Sequence, residues 1–325
     1  MSVATLDIDG VRLVEDITYA TVSGTELRLD LVLPEHSNGA TPAAIYVHGG
    51  GWARGDRRAD LMRRIVGVAR RGVAIAAVDY RLGPAGRFPA AVHDVHSAIR
   101  WLRANGGEHG IETTRIGAWG SSSGAHLALI AALSRDPALS GDPALSGDPA
   151  LNGDPALNGD PALSGDPALS GDPALSGDAA LSGEVPGAPT SAVDAVVSFF
   201  ATSDLAARAA RSAMERRILP PGPEHAFLGL DEIDDDAEAL ARARAASPLM
   251  MVHADAPPAL LVHGDADQLV PFTQSQRLHD AMLTAGGRST LVCLGGAGHE
   301  DAAFDQPFVA ALVAAFLVDM LATSA

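Results

Sequence analysis

RIGAWGSSSGAHLALIAAL (residues 115–133) decides how this chain is read. A short apolar run, RIGAW (115–119), passes through GSSSG (120–124) into a helix-forming segment, AHLALIAAL (125–133). A serine framed by glycines at a strand-to-helix turn has a mechanical meaning. The glycines permit a backbone tight enough to lift the middle side chain clear of the sheet, and the helix N-terminus favours negative charge developing there. Ser122 is therefore the candidate nucleophile, with Ser121 and Ser123 as its spacers.

Working outward, HGGGW (48–52) follows the apolar run AAIYV (43–47). Three consecutive glycines are costly to order, so their presence implies a structural need. Backbone N–H groups there can face the oxyanion of a tetrahedral intermediate, where each donor is worth about 3 kcal/mol. The amides of Gly50, Gly51 and Ser123 are assigned that role, with Trp52 as a wall of the substrate pocket. A serine hydroxyl needs a base, and an acid to orient that base. GGAGHE (295–300) offers His299 in a glycine-rich loop after the last apolar run. HGDADQLVP (263–271) offers two carboxylates, Asp265 and Asp267, in the chain order Ser, Asp, His. Asp267 is assigned the acid and Asp265, directly after Gly264, the holding of the turn; the reverse assignment stays open. Asp79, Tyr80 and Arg81 end a further run and are expected to brace the glycine loop, and Asp94 and His93 to be structural.

The apolar runs 43–47, 73–78, 115–119, 195–200, 259–263 and 290–294 alternate with helical patterns at 58–71, 89–104, 125–133, 273–285 and 308–321. That alternation predicts an α/β fold with a mostly parallel, doubly wound sheet. Residues 11–34 predict antiparallel strands at its start. Two segments break the pattern. A DPALSG hexapeptide repeats from 136 to 183, and its one Leu per unit, with Pro at nearly every sixth residue, leaves little apolar area to stack. It is expected to be a surface loop of isolated turns. Residues 204–247 are long for a plain crossover and predict a helical, cap-like insertion, whose Leu219, Phe227 and Leu228 are candidates to add pocket lining.

Composition narrows the chemistry. With 325 residues, 47% apolar, the chain suits one catalytic domain with a large core. A net charge of -17 argues against nucleic-acid and anionic-membrane partners; removing the eight Asp of the repeat leaves -9. All 23 basic residues are Arg, which excludes Schiff-base, pyridoxal-phosphate and P-loop lysines. The histidines form no short metal-binding spacing, no dinucleotide fingerprint is present, and no cofactor is required. The single cysteine, Cys293, lies in LVCL (291–294) and is expected to be buried and inert. No stretch of about 18 apolar residues occurs, and the acidic, apolar N-terminus lacks a secretory pattern, so a cytoplasmic protein is expected.

HGGGW (48–52), DYRL (79–82), FPAAVHDV (88–95), GSSSGAHLA (120–128) and HGDADQLVP (263–271) together resemble the esterase/lipase branch of the α/β-hydrolases, from about residue 43 to the C-terminus. His126 after the elbow resembles the carboxylesterase, feruloyl-esterase-like and kynurenine-formamidase-like groups, while Ser123 stands where Ala is usual. The hexapeptide array has no counterpart there. The resemblance implies an α/β-hydrolase fold and a small-molecule ester substrate. Cleavage of an amide, by an arylformamidase-like or peptidase-like relative, is the alternative, and a catalytically silent binding module a further one.

Overall fold

The computed structural model describes residues 5–35, 40–140, 190–209, 222–230 and 236–322. Nine strands form one sheet in the order β1-β2-β3-β5-β4-β6-β7-β8-β9. They are β1 Thr5–Ile8, β2 Val11–Val22, β3 Thr25–Pro34, β4 Thr41–Val47, β5 Ala74–Val78, β6 Ile111–Ser121, β7 Ala195–Phe199, β8 Ala259–Gly264 and β9 Ser289–Leu294. The first three strands meet in tight turns at Asp9-Gly10 and Ser23-Gly24, where all four residues take positive φ, as two-residue hairpin turns require. β3 joins β5 antiparallel, and every pairing from β5 to β9 is parallel. This is the predicted mixed sheet of an α/β-hydrolase.

The helices are α1 Val66–Ala69, α2 Ala90–Asn105, α3 Ser123–Leu133, α4 Pro137–Ser140, α5 Leu205–Ala209, α6 Pro223–Leu228, α7 Asp236–Ala245, α8 Thr273–Thr284 and α9 Pro307–Leu321. Side chains alternate across a strand, and both faces of this sheet are covered. On β4, Ala43, Ile45 and Val47 pack into the layer that holds α2, α3 and α8. Ala44 and Tyr46 pack into the opposite layer, with α1 and α9. Each fully buried Val, Leu or Ile of these layers contributes roughly 1.5–3 kcal/mol.

Two expectations are revised. The helix expected from residue 58 begins with a wider turn at Leu61–Ile65, where the amides of Arg64 and Ile65 both donate to Asp60 O (3.0 and 3.2 Å). Cys293 is exposed, because β9 is the edge strand with β8 as its one neighbour in the sheet, so an apolar run there does not imply burial. Trp52, expected as a wall of the substrate pocket, is 5% exposed and stacks on Phe227 of the insertion. Residues 141–183 of the repeat, Leu219 and residues 231–235 lie outside the described residues. In the insertion between β7 and β8, the described residues form α5, α6 and α7. Among the described residues, no helix is long and apolar enough to cross a membrane.

Candidate active site

The glycines of the elbow are needed for space. A Cβ on Gly124 would stand 2.1 Å from Val47 O, and one on Gly120 would stand 2.6 Å from Gly124 C. Strand β6 and helix α3 therefore approach backbone to backbone, and the turn between them forces Ser122 to φ 51 and ψ -120. That strained conformation projects its hydroxyl beyond the C-terminal edge of the sheet.

The structure brings the three sequence-assigned side chains together there. Ser122 Oγ lies 3.0 Å from His299 Nε2, and His299 Nδ1 lies 2.7 Å from Asp267 Oδ2. Asp267 is buried and also accepts the amides of Leu269 (2.9 Å) and Val270 (2.8 Å) at Oδ1. Burial alone would raise its pKa. Hydrogen bonds from His263, His299 and the Val270 amide outweigh burial and hold the carboxyl well below its usual range. An ionised Asp267 can only accept, so His299 carries its proton on Nδ1 and presents the Nε2 lone pair to Ser122. Asp265 is placed differently: its Oδ1 accepts the Gly296 amide at 2.6 Å, tying β8 to the histidine loop.

The glycine loop faces this relay. Gly50 has φ 125, and a Cβ there would stand 2.0 Å from Arg54 O. Gly51 and Trp52 continue with φ 63 and 57. The Ser123 amide opens α3, where a helix presents unshared N–H groups. Of the three expected braces, Tyr80 touches the loop: its hydroxyl donates to His48 O (3.0 Å) and its ring stacks on His48 (4.5 Å between centroids). Asp79 instead binds Arg57, and Arg81 forks onto Asp94 of α2. His93 reaches Ala138 O (2.8 Å) at α4.

The insertion lies directly on this loop. Pro223 of α6 comes within 3.2 Å of where a Gly51 Cβ would be, and Phe227 stacks on Trp52 (4.6 Å, 14°). His126 of α3 meets both rings edge-on (5.1 and 5.5 Å), and its Nε2 donates to Ala246 O (2.8 Å), just beyond α7. Full burial pushes the His126 pKa down to about 4.

Sequence reasoning missed His263, which is fully buried 3.3 Å from Asp267 Oδ2 and bonds Val270 O (2.9 Å) and Ser275 Oγ (2.8 Å). It also missed Phe200, whose ring packs against His299 (4.8 Å), and the ionic cluster of Asp60, Arg63, Arg64, Glu300 and Asp305 beneath the site. His263 was on view in the HGD motif, while the others carry no short-range signal.

A strained serine at a strand-to-helix elbow, with its histidine and acid on later strand ends of a mixed sheet, defines an α/β-hydrolase of the esterase/lipase branch. The BD-FAE family model matches residues 29–282, and the chain belongs to that family. It is 28% identical to esterase LipC of Mycobacterium tuberculosis over 79% of this chain and 52% of that protein. It is also 24% identical to the isoprenylcysteine alpha-carbonyl methylesterase ICME of Arabidopsis thaliana, over 86% of this chain and 55% of that protein. The chain spans about half the length of these curated relatives. Among solved structures, a truncated carbohydrate esterase from gut microbiota superposes with TM-score 0.68 at 25% identity, covering 95% of each chain. A thermophilic esterase of Thermogutta terrifontis superposes at 0.65 and 24% identity, over 98% of this chain and 97% of that one, which bears on the fold.

Proposed function

We propose that this protein is a serine carboxylesterase that cleaves small-molecule esters of short to medium acyl groups through an acyl-enzyme. The observation that carries this reading is the continuous relay Ser122 Oγ, His299, Asp267, with links of 3.0 and 2.7 Å. Ser122 Oγ attacks the ester carbonyl as its proton passes to His299 Nε2, and the new oxyanion is held by the Gly50, Gly51 and Ser123 amides. The intermediate collapses, His299 gives its proton to the departing alkoxide, and an alcohol leaves. Water then repeats the sequence on the acyl-enzyme, with His299 as base, and releases the acid. Every step uses groups of the chain and water.

The acyl range follows from α6. Pro223 against Gly51 and Phe227 over Trp52 occupy space beside the oxyanion loop, which favours modest acyl groups over long chains. A cytoplasmic setting belongs to the same reading, supported by a lone exposed cysteine that suits a reducing compartment.

The test is hydrolysis of p-nitrophenyl esters from acetate to long-chain acyl groups, alongside an aryl formamide, by the native chain and Ser122→Ala. Turnover peaking at short or medium esters and falling by roughly 10⁴-fold or more in Ser122→Ala is the expected result. No turnover of any ester, preference for the formamide, or an undiminished Ser122→Ala would overturn the reading.

A further inference from the structure

His299 sits in a loop that is intrinsically loose. Gly295, Gly296 and Gly298 precede it, and a Cβ on any of them would meet nothing within 4 Å. Asp265 ties the upstream side at Gly296. The downstream side is held at Glu300, a non-glycine residue at φ 58. That conformation costs on the order of 1 kcal/mol and persists only where the surroundings enforce it.

The surroundings are two consecutive arginines. Glu300 Oε2 accepts Arg63 Nη2 at 2.8 Å and Arg64 Nη2 at 3.3 Å. Arg64 is buried; its Nε donates to Asp305 (2.8 Å), and its guanidinium lies over Phe199 and Phe200 (5.6 and 5.8 Å). Phe200 is the ring against His299, and Phe199 O accepts the Ser122 amide (2.9 Å). Arg63 Nε also binds Asp60 (2.7 Å), which accepts the Tyr46 hydroxyl, and Tyr46 lies 3.1 Å from Ser121 Oγ. The other carboxylate oxygen of Glu300, Oε1, would be 3.3 Å from a Cβ on Gly49, at the mouth of the oxyanion loop. One carboxylate thus joins the histidine loop, the glycine loop and the floor under the nucleophile.

We propose that Glu300 is a positioning residue: its pairing with Arg63 and Arg64 holds His299 in register with Ser122 and with the Gly49–Gly51 loop. The proposal rests on the serine-esterase reading above. A base must stay within hydrogen-bond reach of the serine and then of the leaving oxygen, and a displacement of about 1 Å can cost up to a hundredfold in rate. Removing Glu300 leaves the buried Arg64 paired with Asp305 and Asp60, and Arg63 paired with the same two carboxylates, so no buried cation is orphaned.

The experiment compares native chain, Glu300→Gln, Glu300→Gly, Arg63→Gln and the Arg63→Gln/Glu300→Gln double variant. Readouts are kcat and KM on p-nitrophenyl acetate, the rate of Ser122 labelling by a fluorophosphonate, and Tm. Glu300→Gly relieves the positive φ, so it separates the two roles: Tm holds or rises while kcat falls about tenfold with KM within about twofold. The double variant loses no more than the worse single variant, because both act through one contact. Native kcat and labelling rates in both Glu300 variants, multiplicative losses in the double variant, or a kcat loss that only follows Tm would overturn the proposal. A native chain that labels at Ser122 but cleaves no ester counts against the esterase reading alone, and the labelling rates of the Glu300 variants still decide this one.

Discussion

The nucleophile elbow and the histidine loop are both glycine-rich, yet their glycines do opposite things. At the elbow, Gly120 and Gly124 are packed so closely that a single added carbon would stand 2.1 to 2.6 Å from another backbone segment. In the histidine loop, Gly295, Gly296 and Gly298 border open space. The elbow is held in shape by steric contact, whereas the loop is held by polar ties at Asp265, Asp267 and Glu300. The proposed catalytic geometry combines a half defined by steric contact with a half that is tethered.

The largest break in that comparison comes at the tethers. Asp267→Asn removes the charge that orients His299, and kcat on a p-nitrophenyl ester is expected to fall roughly 10³–10⁴-fold with little change in KM. Asp265→Asn loosens one tie to Gly296 and is expected to cost about tenfold or less. Equal losses in the two variants would mean that the two carboxylates share one job, and the distinction between acid and tether would fail.

Steric and tethered glycines should also separate in stability. Gly124→Ala drives Cβ into Val47 O, a backbone atom that cannot step aside, and is expected to cost about 3 kcal/mol or more in denaturant unfolding. Gly298→Ala meets open space and is expected to stay within about 0.5 kcal/mol of native. Comparable costs at the two sites would erase the contrast.

The same contrast explains what was legible in the sequence. Ser122, the HGGG loop and the parallel strands could be read because close backbone approach demands glycine and a doubly covered sheet demands apolar runs, both local signals. His299 and Asp267 could be found by chain order once the serine was placed, with Asp267 preferred because Asp265 directly follows Gly264; in the structure Asp265 accepts the Gly296 amide and Asp267 lies against His299. The floor was not legible: Arg63 and Glu300 are 237 positions apart, and charged residues in a sequence ordinarily read as solvated surface. Cys293 misled for the complementary reason, since an apolar run cannot reveal that its strand ends the sheet.

Acid should distinguish the two halves by pH window. His126, on the elbow helix, is held neutral by burial with a pKa of about 4, below the free imidazole value of about 6.5. Between those values the unfolded chain binds a proton that the folded chain refuses, so stability falls as pH drops from about 6.5 towards 4, by up to about 1.4 kcal/mol per pH unit. Asp267, on the tethered side, is shifted down as well, but for an acid the consequence lies elsewhere. Its contribution is complete above about pH 3.9 and is lost only as pH falls below that towards its folded value. His126→Gln keeps a donor for Ala246 O without a titrating ring, and is expected to flatten the dependence of unfolding free energy on pH between about 6 and 4.5 by close to one proton. His96, also buried and pushed down to about 3, supplies part of the slope that remains. Asp267→Asn removes a carboxylate whose own titration lies lower, and is expected to alter the slope below about pH 4. A His126→Gln chain with the native slope would show that the imidazole is not kept neutral by the fold, and the elbow would lose its claim to be the dry, sterically defined half of the site.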